Sequence, residues 1–202
     1  DLVLTDDNFA TIRAAVEEGR RVYDNLVKSL AFVLPTNLGL AFILTWGVAF
    51  FPFHPQTGEL LLPMLPAQLL WVNLIASFFL GTPLAFEAAE RDLMSRPPRR
   101  PGEPILSPFV LYRTTMVAIL MTIGAVTMFQ YEYASAMASG LRDGAATAEA
   151  QTVAVTTVVA FQVFYLLNCR SLKDSVLSVG LWSNPMIYVG IGLLAILQLL
   201  FI

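Results

Sequence analysis

Residues 29–52, SLAFVLPTNLGLAFILTWGVAFFP, decide the class of fold, because they run for 24 residues without one charged side chain. A helix needs about 20 such residues to cross the hydrocarbon core of a bilayer. Four further runs of similar character follow at 64–86, 108–131, 150–168 and 182–202. In lipid the backbone amides must be paired within each segment, which leaves helix as the conformation for these runs. The expected fold is therefore all-α: a polytopic transmembrane helix bundle of about five spans, residues 29–202. The segments between the runs carry turn formers: Pro52 to Gly58, Arg96 to Gly102, Ser139 to Gly144 and Arg170 to Gly180.

Composition agrees with this reading. Over 202 residues, 56% of side chains are hydrophobic and 13% charged, and the mean hydropathy is +0.67. A soluble domain of this length has no room to bury so much apolar surface. The net charge of −3, with no dense Lys/Arg patch interleaved with aromatic residues, excludes a nucleic-acid partner. A single cysteine, Cys169, forbids an intramolecular disulfide, and the single histidine, His54, cannot build a His/Cys metal cluster. The chain opens on a polar stretch without an initiator Met and ends in an apolar run, so it is expected to be a segment of a longer protein.

Residues 1–28 differ from the rest. Phe9, Ile12, Val16 and Val22 recur at helical spacing among charged residues, and Asn8 is placed to cap the helix. Gly19 is the only breaker before Pro35, so a short helical stalk is expected to rise from outside the membrane into the first span. Placing this end in the cytoplasm puts Arg13, Arg20, Arg21, Lys28, Arg91, Arg96, Arg99, Arg100, Arg113, Arg170 and Lys173 inside and leaves only Arg142 outside, as the positive-inside rule requires. Asp6 and Asp7 fit dipole compensation at the helix start better than a Mg²⁺ pair. Glu87 and Glu90 are expected to pair with Arg91, the alternative being a place near a cation entry path. Trp71 lies within its span and fits helix packing, whereas Trp182 suits an interfacial position.

Among the polar residues inside the runs, the short list of candidates is Thr36 and Asn37 beside Pro35, then Gln68, Asn73 and Ser77, then Thr156, Thr157 and Gln162. Intramembrane polar groups serve either as helix-to-helix hydrogen bonds or as a site. Pro35 is expected to break its helix and free carbonyls that a cation or a neighbouring side chain could use.

Three strings carry a family resemblance. Leu4-Thr5-Asp6-Asp7-Asn8-Phe9, continued by Ala14 to Arg20 and Tyr23-Asp24-Asn25, resembles the end of the phosphorylation domain and the stalk of P-type cation-transporting ATPases of the calcium-pump-like class. Gln68-Leu69-Leu70-Trp71-Val72-Asn73-Leu74 resembles that family's sixth transmembrane helix, and Asp92-Leu93-Met94-Ser95-Arg96-Pro97-Pro98-Arg99 the loop after it. The resemblance implies that the five runs correspond to the family's fifth through ninth helices, and that residues 1–28 close the cytoplasmic phosphorylation domain and form the stalk. It implies a multi-pass protein of the plasma membrane, with the transported cation, the lipid bilayer and the preceding part of the same chain as partners. ATP and Mg²⁺ would bind outside these residues, since neither the Asp-Lys-Thr-Gly-Thr string nor the Gly-Asp-Gly-Val-Asn-Asp string occurs here. No catalytic or cofactor-binding residue is expected in this segment, and the segment alone is expected to be inactive.

The family holds its cation with oxygens from the fourth, fifth, sixth and eighth helices. Carried over by position, Asn37, Asn73, Ser77 and Gln162 are the implied ligands. The carboxylates are absent: Leu40 stands where the family usually has Glu, Ala76 and Ser77 where it often has Thr-Asp, and Gln162 where two-site calcium pumps place Glu. Amide and hydroxyl oxygens alone bind Ca²⁺ weakly. Three explanations stay open: a site built mainly from the fourth helix and backbone carbonyls, a different cation, or lost transport. Two other functional classes also remain, a non-catalytic pump-derived scaffold or regulatory module and a secondary transporter or channel, though no internal repeat favours the latter.

Overall fold

The computed structural model describes residues 8–53, 58–90, 92–98, 102, 104–172, 178 and 180–202. The readings that concern Asp6 and Asp7, His54, Arg91, Arg99, Arg100 and Lys173 lie outside them. Helix α1 covers Phe9–Phe50, and Asn8 caps it, its Oδ1 accepting from the Ala10 amide at 2.9 Å. Helix α2 covers Pro66–Phe86, α3 Pro108–Ala138, α4 Asp143–Cys169 and α5 Pro185–Phe201. Three of the five begin with proline at the first helical position, where the missing amide hydrogen costs nothing. Ser107 and Asn184 cap α3 and α5 by accepting from Val110 N and Met186 N. The α1–α2 connection holds one isolated antiparallel bridge, Phe53 to Leu60. Gly140, at φ +87°, turns the chain from α3 into α4.

Helices α1 to α4 are each long and apolar enough to cross a membrane, so the protein is an all-α integral membrane bundle. The 17-residue α5, preceded by a 3₁₀ turn at Leu181–Ser183, is about 26 Å long at 1.5 Å per residue. Helices α3 and α4 form an antiparallel hairpin, α1 lies against α3, α4 packs on the middle of α2, and α5 packs on α2. One apolar core, with Phe32, Ile43, Leu80, Met121, Phe129 and Leu166 among its members, runs through all of them. The outer faces are equally apolar: Leu70, Phe78, Ile123 and Leu199 are all exposed, as befits side chains solvated by lipid.

Two features depart from the expected pattern. Helix α1 runs without interruption through Pro35, so the anticipated break is absent; Pro35 is buried inside a continuous 42-residue helix. The chain accommodates it because the carbonyl four residues back, that of Ala31, accepts instead from the Tyr165 hydroxyl of α4 at 2.8 Å. Second, α2 is not uniform. An α-helical start at Pro66–Trp71 opens into a π-helical stretch over Val72–Gly81 and tightens to 3₁₀ at Thr82–Phe86.

Candidate cation-binding site

Helices α1, α2 and α4 carry the eight candidate polar residues singled out in the sequence, and the structure divides them into two groups. Half bond locally. Thr36 Oγ1 donates back to Phe32 O and Val33 O at 3.1 and 3.0 Å, Thr156 to Thr152 O and Thr157 to Val153 O, both at 2.8 Å. Gln68 Oε1 accepts from Leu65 N at 2.8 Å and so fixes the start of α2.

The other four are the implied ligands. Asn37 Oδ1 and Gln162 Oε1 are buried and have no hydrogen-bond partner. An amide oxygen withdrawn from water with nothing to accept from costs about 1–3 kcal/mol. Asn25 Oδ1 shares this state at the charged end of the bundle, but Asn37 Oδ1 and Gln162 Oε1 lie within the spans and are an unmet demand there for a donor or a cation. The Tyr165–Ala31 bond fixes their relative height. At 1.5 Å per residue, Asn37 lies about 9 Å and Gln162 about 4.5 Å from that bond along antiparallel helices, in the same direction. Asn73 is exposed on the outside of the bundle and Ser77 is half-buried; both sit in the π-helical stretch. π-Helical turns widen the helix and are frequent at functional sites. This stretch was not foreseen, and no residue within it signals it.

The missing carboxylates are replaced by packing. Leu40 is 6% exposed and Ala76 1%, both inside the apolar core. Among the described residues no three His, Cys, Asp or Glu side chains group so as to hold a metal.

Charge gathers instead at the end of the bundle where α1 begins. Glu87 pairs with Arg170 at 2.9 Å, the two being 1% and 0% exposed. Glu87 Oε1 also accepts from Asn184 Nδ2 at 3.2 Å. Its backbone carbonyl accepts from Asn25 Nδ2 and Arg21 Nε at 2.9 and 3.0 Å. One residue thus ties α1, α2, α4 and the start of α5. Beside it, Glu90 pairs with the buried Lys28 at 3.1 Å and with Arg96, and Arg96 reaches Asp24 at 2.6 Å and Asp92. Arg20 donates to the carbonyls of Leu93 and Arg96 at 2.9 and 2.8 Å, closing the loop onto α1. Burial acts to raise the Glu90 carboxyl, but the Lys28 charge and the hydrogen bonds from Arg96 and Lys28 outweigh it and hold its pKa below the usual 4.5. The hydrogen bond to Asp92 leads those that make Arg96 harder still to deprotonate. Both glutamates are paired, as expected, but with Arg170, Lys28 and Arg96, residues that only the packing brings to them.

Comparison with known proteins bears on what this arrangement belongs to. Residues 61–202 match the family model described as "Cation transporting ATPase, C-terminus". The chain is 41% identical over 198 residues, 98% of its length, to the probable cation-transporting ATPase F of Mycobacterium tuberculosis, covering 20% of that protein. It is 40% identical over 177 residues to the cation-transporting ATPase pma1 of Synechocystis, covering 88% of this chain and 18% of that one. With the calcium-transporting ATPase of Bacillus subtilis it shares 32% identity over 199 residues, 98% of this chain and 20% of the other. The chain therefore spans about a fifth of the length of these relatives.

Proposed function

Since this chain belongs to the P-type cation-transporting ATPase family and matches its C-terminal part, we propose that it forms part of the membrane pathway through which an ATP-driven pump moves a small cation by alternating access. ATP, Mg²⁺ and the phosphorylated Asp belong to the rest of the longer protein. The observation that carries the proposal is the pair of buried, unpartnered amide oxygens, Asn37 Oδ1 and Gln162 Oε1. A hard cation leaving water needs replacement oxygens of this kind at mid-membrane.

Asn73 and Ser77 complete the set from α2. The exposed position of Asn73 leaves its amide free to act together with oxygens supplied by other parts of the longer protein. With Leu40 and Ala76 in apolar contacts, the site relies on amide, hydroxyl and carbonyl oxygens, and its cation is Ca²⁺ held with little charge compensation or a less demanding small ion. The calcium-transporting relative supports Ca²⁺ as the first candidate. Residues 1–28 close the cytoplasmic phosphorylation domain in this reading, and α1 carries its motion to Asn37, with the N-terminal end facing the cytoplasm at the plasma membrane.

In the full-length pump, Asn37→Ala is expected to raise the Ca²⁺ concentration for half-maximal phosphorylation about tenfold, the loss of one amide ligand being on the order of 1–2 kcal/mol. Unchanged Ca²⁺ dependence would remove Asn37 from the site. Leu40→Glu is expected to move the response the other way, toward tighter Ca²⁺ binding, because it restores a compensating charge.

A further inference from the structure

We infer that Tyr165 is a positioning residue whose hydroxyl takes the place of the amide hydrogen that Pro35 lacks, so that α4 holds the course of α1 next to the unpartnered amide oxygens of Asn37 and Gln162. In an unbroken α-helix the amide of residue 35 would donate to the carbonyl of residue 31. Pro35 has no such hydrogen, and Ala31 is buried, so its carbonyl would face the full cost of an unpaired buried acceptor. The Tyr165 hydroxyl supplies the donor at 2.8 Å from 134 residues away.

The ring that carries this hydroxyl is flanked by side chains of two other helices. It stacks on Phe32 of α1 at 6.1 Å between centroids. The guanidinium of Arg113 in α3 sits over it at 5.2 Å, itself donating to Asn168 O of α4 at 2.9 Å. Arg113 and Phe32 thus contact the ring from two neighbouring helices.

Helices bend most readily where proline removes a ladder bond, and a Thr hydroxyl bonding back to its own helix adds to that tendency. Here Pro35 and Thr36 are adjacent, with Thr36 Oγ1 donating to Phe32 O and Val33 O. The half of α1 beyond this point carries Asn37, and Gln162 lies one turn from Tyr165 on α4. The bond at Ala31 therefore governs how the two amide oxygens stand to each other. This step rests on the cation-site reading above, but the hydrogen bond itself does not.

The test is a double-mutant cycle in the full-length protein, purified into lipid nanodiscs. Tyr165→Phe keeps the ring and removes the donor. Pro35→Ala restores an amide at residue 35 that can pair with Ala31, which makes the hydroxyl dispensable; Pro35→Ser serves as the second such background if the first does not fold. Tyr165→Phe is expected to lower Tm when Pro35 is present and to leave it unchanged in the Pro35→Ala background. It is also expected to raise the Ca²⁺ concentration for half-maximal phosphorylation about fivefold with Pro35 present, with maximal phosphorylation retained, and to have no effect once Pro35 is replaced. Equal effects of Tyr165→Phe in both backgrounds, or none in either, overturn the inference. If no phosphorylation of the unmutated pump depends on Ca²⁺, the Ca²⁺ reading fails instead, and the Tm cycle still decides the role of Tyr165.

Discussion

Glu87 shows what a single residue does at the junction of four helices. Its carboxylate and carbonyl between them take Arg170, Asn184, Asn25 and Arg21. An ion pair withdrawn so far from water is weak support by itself, yet removing one partner strands the other charge. Arg170→Met is therefore expected to destabilise the protein by about 3–5 kcal/mol, read as a fall in the denaturation midpoint of the purified full-length chain, while Glu87→Met with Arg170→Met recovers most of the loss. A double variant no better than the single one would show that the remaining hydrogen bonds, not the charges, hold this end together. Glu90 contributes a pH dependence. Its folded pKa lies below its ordinary value of 4.5, so its contribution to stability is fully present above pH 4.5 and is lost as the pH falls through the lower, folded value. Glu90→Gln is expected to cost roughly 1–3 kcal/mol at neutral pH and to flatten the acid limb of a Tm-against-pH curve; an unaltered limb would assign the acid sensitivity to other carboxylates. The sequence made the pairing of both glutamates legible but not their partners. Arg170 lies 83 residues from Glu87, and no local pattern encodes a contact made by helix packing.

At the scale of elements, uninterrupted apolar runs and the cap at Asn8 were readable, because each depends on neighbours in the chain; the caps at Ser107 and Asn184 came only with the structure. The course of α1 through Pro35 was not, since the donor that keeps it helical comes from α4. Nor was the π-helical stretch Val72–Gly81, whose residues have no sequence signature. The packing of α5 on α2 depends on one glycine. A Cβ at Gly190 would stand 2.1 Å from the Phe79 carbonyl oxygen and 3.2 Å from Pro83 Cγ, and neither backbone nor proline ring can swing aside. Gly190→Ala is expected to force α5 away from α2 at a cost of about 1–3 kcal/mol, seen as a lower Tm. On the same helix a Cβ at Gly192 meets nothing within 4 Å, so Gly192→Ala is the control and is expected to leave Tm within error. Equal behaviour of the two would mean that α5 does not approach α2 this closely.

Across the whole molecule, charge is divided between the two ends. Arg13, Arg20, Arg21, Lys28, Arg96, Arg113 and Arg170 gather where α1 begins, held partly by Glu87 and Glu90. At the far end Arg142 stands beside Asp143, whose carboxylate accepts from Tyr133 at 2.7 Å. The candidate oxygens lie between these ends, and the apolar core of the described residues contains no charged side chain; in the proposed reading the direction of transport is tied to which end meets the cytoplasm. The asymmetry of basic residues favours the cytoplasm for the start of α1. Single cysteines test this in intact bacterial cells expressing the full-length protein in a Cys169→Ala background, cleared of any other native cysteine. Arg142 and Ser95 are both exposed and lie at opposite ends. A membrane-impermeant maleimide is expected to label Arg142→Cys in intact cells and Ser95→Cys only after the membrane is opened. The reverse pattern would invert the bundle and with it the path from the stalk to Asn37, since α1 would then enter the membrane from the side where no ATP is available.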